Sequence, residues 1–320
     1  MWIKVVSLRP IKKNTVMTND RLKGFTYGAL AAASYGLNPL FALPLYGAGM
    51  KVDSVLFYRY FFAIVMLGIL MKVKKQSFAL KKTDILPLAV MGLLFSFSSL
   101  FLFESYNYMD AGIASTILFV YPVMVAIIMA IFFHEKVSFI TMFSIALAFT
   151  GISLLYEGGD GRTLNLLGVL FVILSSLTYA IYIVGVNRSS LKNLPTAKLT
   201  FYALLFGIII YVVRLDFCTA LQLVPAPLLW VNVFSLALFP TIISLIAMTL
   251  SIHRIGSTPA AILGALEPVT ALFCGVVVFG EQLTPRIMLG VLMILTAVTL
   301  IIAAKPLLEL IKKHIPIRHE

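Results

Sequence analysis

Ten runs of about 20 apolar residues fill this chain, and nearly all of its charge lies in the short segments between them. The runs cover roughly 24–46, 53–72, 84–106, 111–133, 138–156, 164–186, 196–214, 227–251, 257–279 and 285–304. As a helix rising about 1.5 Å per residue, each is long enough to cross a hydrocarbon core of about 30 Å. Lipid offers the backbone no hydrogen bonds, so a spanning segment must be a helix or part of a closed barrel. The strict alternation of barrel strands is absent. The expected fold class is therefore all-α integral membrane, with ten transmembrane helices. Composition agrees: 61% of residues are hydrophobic and 12% charged, against about half and about a quarter in soluble domains.

Charge then sets an expected orientation. Net charge is +12; in a soluble chain this would point to nucleic acid, but here Lys and Arg sit at the ends of apolar runs. With a cytoplasmic N-terminus, 20 of the 25 Lys and Arg fall on the cytoplasmic side, as the positive-inside rule requires. Lys51, Arg59, Arg162, Arg214 and Arg286 remain in the outer half. Both termini are expected inside, in a plasma membrane of the bacterial inner-membrane type. Residues 1–23 lack a signal-peptide pattern, and Met17 is a second candidate start. Residues 305–320 read as a basic tail at the inner surface.

The chain repeats itself. Segment 111–137 reads AGIASTILFVYPVMVAIIMAIFFHEKV, and 257–285 reads STPAAILGALEPVTALFCGVVVFGEQLTP. A shift of 146 positions places Pro122 on Pro268, Glu135 on Glu281 and Ala114 on Ala260. This is the mark of an internal duplication. It divides the chain into a cytoplasmic segment (1–23), a first five-helix repeat (24–156), an outer linker (157–163), a second repeat (164–304) and a cytoplasmic tail (305–320). Five crossings return the chain to the opposite face, so the second copy must be inverted relative to the first. Inverted repeats build transporters with a site at the repeat interface near the midplane.

Several polar residues interrupt the apolar spans. Gly24, Gly28, Ala32 and Gly36 form a ridge that lets another helix approach closely. Asn38 precedes Pro39 and is either helix–helix glue or a donor into a cavity. Arg59 lies about 10 Å and Glu104 about 7 Å from the outer face. At that shared depth they form either a structural ion pair or a planar guanidinium held for a carboxylate ligand with an acid nearby. Tyr121 and Glu267 precede the paired prolines, Pro122 and Pro268. Each proline frees the carbonyl four residues back; Pro268 is expected to leave that of Gly264 as a polar notch beside Glu267. Glu267 lies about 15 Å from the cytoplasmic end, either as a functional acid able to exchange protons or as a buried structural one. Ser175, Tyr179 and Tyr182 share one helix face, and Tyr179 either lines a cavity or packs.

Other chemistries lack their residues. His134, His253, His314 and His319 lie at span ends or in the tail, and Cys218 and Cys274 are far apart. No metal site or cofactor is expected. No nucleophile elbow, phosphate loop or zinc-hydrolase motif occurs, so the chain is not read as an enzyme.

The segments YGLNPLF, FYRYFF, AGIASTILFVYPV with HEKVS, and GSTPAAILGALEPVTALFCGVVVFGEQLT with MLGVLMILTAVTLI resemble the drug/metabolite transporter superfamily, and among its branches the EamA-type ten-helix transporters. The likeness covers about residues 20 to 304. It implies two inverted five-helix halves around a central cavity, and proton-linked or facilitated export of small metabolites, often amino acids. The expected function is export of an amino acid or relative by alternating access, with protons as a candidate coupling ion. The rivals are an importer or exchanger of sugars, nucleosides or organic cations, and a non-transporting membrane enzyme or assembly subunit. The expected partners are a small-molecule substrate and the lipid bilayer, not nucleic acid, with monomer and homodimer both open.

Overall fold

The computed structural model describes residues 16–134, 138–156, 164–255, 260 and 263–314. Among these the chain is helical throughout, with no strand. The helices are α1 (Val16–Gly36), α2 (Asn38–Gly47), α3 (Val52–Val73), α4 (Lys82–Ser105), α5 (Ala111–Leu118), α6 (Tyr121–Phe133) and α7 (Phe139–Tyr156). The second half has α8 (Leu166–Arg188), α9 (Thr196–Arg214), α10 (Leu229–Ala237), a π-turn (Leu238–Ile243), α11 (Ser244–Ile255), α12 (Leu266–Phe279) and α13 (Pro285–His314).

Among the described residues, six helical stretches are long and apolar enough to cross a membrane: α3, α4, α5 with α6, α8, α9, and α10 through α11. Three shorter apolar stretches, Phe139–Leu155, Leu266–Phe279 and Pro285–Leu300, fall below that length. The expectation of ten transmembrane helices is met in part: the chain is helical, but not all ten apolar runs form long apolar helices among the described residues. Proline divides the first run between α1 and α2 at Asn38-Pro39; the fourth is also broken, between α5 and α6 ahead of Pro122, yet remains one of the six. Glu135, the outer linker 157–163 and the end of the tail lie outside the described residues.

The glycine ridge of α1 does what its spacing implies. A Cβ on Gly28 would come within 2.4 Å of Leu263 Cδ1, and one on Gly36 within 2.4 Å of the Glu267 carbonyl oxygen. So α1 packs on α11 and α12 at backbone distance. Helices α3, α4, α8 and α9 close the other side, with Tyr60, Phe103 and Tyr211 fully buried between them. Helix α13 lies mainly along α7, outside this ring.

Ties at the ends of the helices set their heights. At one end Arg214 of α9 donates from Nε to Asp53 of α3 at 2.6 Å, and its Nη2 lies 3.6 Å from Glu104 of α4. Gln222 fastens the following loop there, accepting from the Lys51 N–H at 2.5 Å and donating to the Gly49 carbonyl at 3.1 Å. At the other end Ser190 donates to Asp84 at 2.7 Å, Lys198 donates to the Ala79 carbonyl, and Arg254 meets Asp20 at 3.2 Å.

Candidate functional site

Four prolines break helices near the centre, and each freed carbonyl finds a different donor. Proline has no N–H, so the carbonyl four residues earlier loses its helical partner. For Pro39 that carbonyl is Tyr35, and the Asn38 side-chain amide donates to it at 2.9 Å. For Pro122 it is Leu118, and the Ser176 hydroxyl of α8 donates to it at 3.0 Å. For Pro240 it is Leu236, and the Thr241 hydroxyl donates to it at 3.4 Å. For Pro268 it is Gly264, which accepts the backbone N–H of Glu267 itself at 2.9 Å. Irregular backbone at membrane depth is tolerated only when packed in protein or facing a cavity. Here the breaks do both.

They surround a cavity of about 190 Å³. Tyr35 lines it from α1 and Arg59 from α3. Tyr121 stands at the α5–α6 break, Tyr179 and Tyr182 on α8, Thr241 at the π-turn and Glu267 at the start of α12. One wall is aromatic. Tyr121 meets Tyr179 edge-on at 4.8 Å, Tyr179 stacks on Tyr182 at 5.9 Å, and Phe95 meets Tyr182 at 5.3 Å. Such rings present a large rigid surface and, through their hydroxyls, a few hydrogen-bonding points.

The charged residues are placed less simply than depth alone implies. Arg59 is 3% exposed. Its Nε donates to the Thr241 hydroxyl at 3.2 Å, its guanidinium carbon lies 5.2 Å from the Phe103 ring centre, and the Tyr35 hydroxyl is a further hydrogen-bonding neighbour. Glu104 is not its partner. That acid sits at the helix ends beside Arg214 and accepts from the Asn107 amide at 3.3 Å. The ion-pair alternative is thus corrected: Arg59 and Glu104 share a depth but face different neighbours. Asn38 does not line the cavity, since its amide is used locally. Beside Glu267, Gly264 lines the cavity too, and its carbonyl accepts the Glu267 N–H at 2.9 Å.

Arg59, Tyr121, Tyr179 and Glu267 therefore meet at one cavity, while Asn38 and Glu104 stay outside it. Among the described residues no carboxylate pairs with Arg59 and no cation pairs with Glu267. A buried charge left unpaired by the protein is costly. Sequence reasoning missed Tyr35, Phe95 and Thr241. The proline-polar pair Pro240-Thr241 in the middle of an apolar run was the available signal for the last.

The far end of α12 reaches back to the first half. Glu281 accepts from the Ala111 N–H at 2.9 Å and from the Gly112 N–H at 3.2 Å, at the exposed amide end of α5. A negative group is favoured there by the helix dipole. A Cβ on Gly275 would lie 2.0 Å from Glu281 Oε2, so only glycine leaves the carboxylate room. Burial, with Asp110 close by, still pushes the Glu281 carboxyl up to about 7, against the opposing pull of those two N–H groups. Among the described residues no cluster of His, Cys, Asp and Glu could hold a metal ion.

The model of the EamA-like transporter family matches the chain twice, over residues 22–157 and 166–303. The uncharacterized transporter YxxF of Bacillus subtilis is 25% identical over 222 residues, covering 68% of this chain and 70% of that protein. The uncharacterized transporter YcbK of the same organism is 24% identical over 248 residues, covering 74% and 79%. A solved crystal structure shares the fold with a TM-score of 0.61 at 16% identity, over 91% of this chain and 99% of that one. With both halves matched and the breaks gathered around one cavity, the chain belongs to the EamA-like transporter family, and it is a multi-pass membrane protein.

Proposed function

We propose that this transporter exports a small zwitterionic metabolite, an amino acid or close relative, by alternating access between two inverted five-helix halves. The observation that carries the substrate class is the pairing of Arg59 and Glu267 in one cavity without countercharges of their own. A guanidinium fits a planar carboxylate. An acid fits an ammonium, or a proton when no ammonium is bound. The aromatic wall of Tyr121, Tyr179 and Tyr182 suits an apolar side chain.

Two observations support inversion. The family matches once in each half. Glu281, two residues past α12, accepts from the first N–H of α5, an end-to-end contact that inverted copies of one helix would make. Orientation with both termini in the cytoplasm rests on the distribution of Lys and Arg. Rocking of the halves about α5–α6 and α12 would expose the cavity alternately to each side, with protons as the coupling ion through Glu267.

The test is counterflow and efflux from proteoliposomes loaded with a mixture of radiolabelled L-amino acids. Wild type should move at least one of them, and Glu267→Gln should abolish the dependence of flux on a pH gradient. Arg59→Lys should weaken amino acids while leaving the corresponding amines unchanged. Flux of amines and amino acids with equal preference, in wild type, would refute the carboxylate assignment.

A further inference from the structure

The π-turn from Leu238 to Ile243 holds a residue that no motif announces. Pro240 strips the Leu236 carbonyl of its helical donor, and the helix widens by one residue there. The Thr241 hydroxyl donates to that carbonyl at 3.4 Å. A threonine hydroxyl has one proton and two lone pairs. With its proton committed to a carbonyl, which cannot donate, the oxygen can act toward its other neighbour only as an acceptor. That neighbour is Arg59, which cannot accept, and its Nε–H donates to Thr241 at 3.2 Å. The polarity of the chain from Arg59 through Thr241 to Leu236 is therefore fixed. Thr241 is itself 8% exposed and shares the cavity wall with Arg59.

We infer that Thr241 is the positioning residue for ligand recognition: by taking the Nε–H of Arg59, it turns the Nη1–Nη2 edge of the guanidinium toward the cavity as the face that receives a carboxylate. The inference rests on the carboxylate-binding role proposed for Arg59. A guanidinium can offer a carboxylate either its Nε side or its outer edge. Thr241 occupies the first, so a carboxylate is left the second, where it joins or displaces the Tyr35 hydroxyl, the guanidinium's other hydrogen-bonding neighbour on the cavity wall. The Phe103 ring, 5.2 Å from the guanidinium carbon, holds the plane. A ligand with one acceptor atom where a carboxylate has two, such as a carboxamide, then meets a mismatched edge. The selectivity for acid over amide is thus set from a different helix than the one that carries the charge.

The variants are Thr241→Val, which keeps the shape and removes the hydroxyl, and Thr241→Ser, which keeps the hydroxyl. The first readout needs no ligand. In the full-length protein labelled with 15N-arginine, the Arg59 Nε–H signal is identified by its loss in Arg59→Lys. Its exchange with solvent should be slow in wild type and Thr241→Ser, and fast in Thr241→Val. The second readout is competition by each L-amino acid against its own carboxamide, over the full set. Thr241→Val should narrow the acid-over-amide preference by about tenfold, the scale of one lost charge-assisted hydrogen bond. Thr241→Ser should restore it. A merely structural role would weaken acid and amide together and leave their ratio alone; an unchanged ratio in Thr241→Val, with Arg59→Lys abolishing it, overturns the inference and spares the amino-acid reading. If wild type binds no member of the set, the amino-acid reading falls and takes the carboxylate part of this inference with it. The Nε exchange rate then still decides whether Thr241 holds Arg59, and equal rates in wild type and Thr241→Val refute that as well.

Discussion

The breaks at Tyr121-Pro122 and Glu267-Pro268 occupy equivalent places in the two halves, and they solve one backbone problem in two ways. In the first, the orphaned Leu118 carbonyl is taken by a hydroxyl from another helix, Ser176 of α8. In the second, the orphaned Gly264 carbonyl is taken within its own turn by the Glu267 N–H. The first break is bolted to a neighbour and presents an uncharged phenol to the cavity. The second closes on itself and presents a carboxylate that makes no ion pair among the described residues. A repeat that has diverged in this way can divide its labour. On the proposed reading, one half would supply a fixed wall, and the other the group whose charge changes with ligand or proton.

The sharpest way to break this comparison is to exchange its two side chains for close analogues. Glu267→Gln should lower transport of the preferred amino acid by about 100-fold, equivalent to about 2.7 kcal/mol of barrier. Tyr121→Phe, which removes only a hydroxyl, should lower it by less than about fivefold. Initial rates from proteoliposomes decide the matter, and equal losses would mean that the halves are functionally alike.

The two closures should differ in stability as well. Ser176→Ala leaves the Leu118 carbonyl without its side-chain donor in a buried place, a loss of about 1–3 kcal/mol. No single side-chain deletion can do the same to the Gly264 carbonyl, because a backbone N–H serves it. Its nearest equivalent is steric. Gly36→Ala would drive a Cβ to 2.4 Å from the Glu267 carbonyl and force α1 away from the second break, at about 1–3 kcal/mol. Thermal unfolding in detergent checks both. A silent Ser176→Ala would show that the first break needs no bolt.

Much of this site could be read from the chain. Apolar run length implied helices, because lipid leaves the backbone no alternative. The ridge from Gly24 to Gly36 implied close contact with another helix. Arg59, Tyr121, Tyr179 and Glu267 stood out because polar groups are expensive in those runs, and all four meet at one cavity. What escaped was direction around the helix axis. Arg59 and Glu104 share a depth, yet depth carries no azimuth, and Glu104 turns to Arg214 instead. Ser176 and Thr241 escaped for a related cause. Their partners, Leu118 and Arg59, lie 58 and 182 residues away in sequence, a distance over which helical periodicity carries no information. Asn38 was legible as polar and unusual, but its use, closing the carbonyl freed by the very next residue, needs only three positions of chain.

The smallest expected effect concerns the tie between the halves at Glu281, whose repeat equivalent, Glu135, lies outside the described residues. Burial and the neighbouring Asp110 push the Glu281 carboxyl from its ordinary 4.5 up to about 7, so folding favours its protonated form. The stability linked to it is present in full below about pH 4.5 and is lost as pH rises through about 7. The ionised form still receives two N–H groups from α5, and the group is half-buried, so solvent screens part of the penalty. Glu281→Gln, which imitates the protonated form, should flatten this component of the pH profile. Melting temperatures of the two proteins should differ least near pH 5 and diverge toward pH 8, with wild type the lower partner in the change. Asp110, also raised by burial, is a titratable neighbour, and the Cys274 thiol lies close by. Asp110→Asn should therefore shift the midpoint of the wild-type profile downward without removing it. A wild-type profile that runs parallel to Glu281→Gln from pH 5 to 8 would mean that the contact between α12 and α5 holds equally well with either protonation state, and that the facing ends of these two helices are joined by packing at Gly112 and Gly275 rather than by charge.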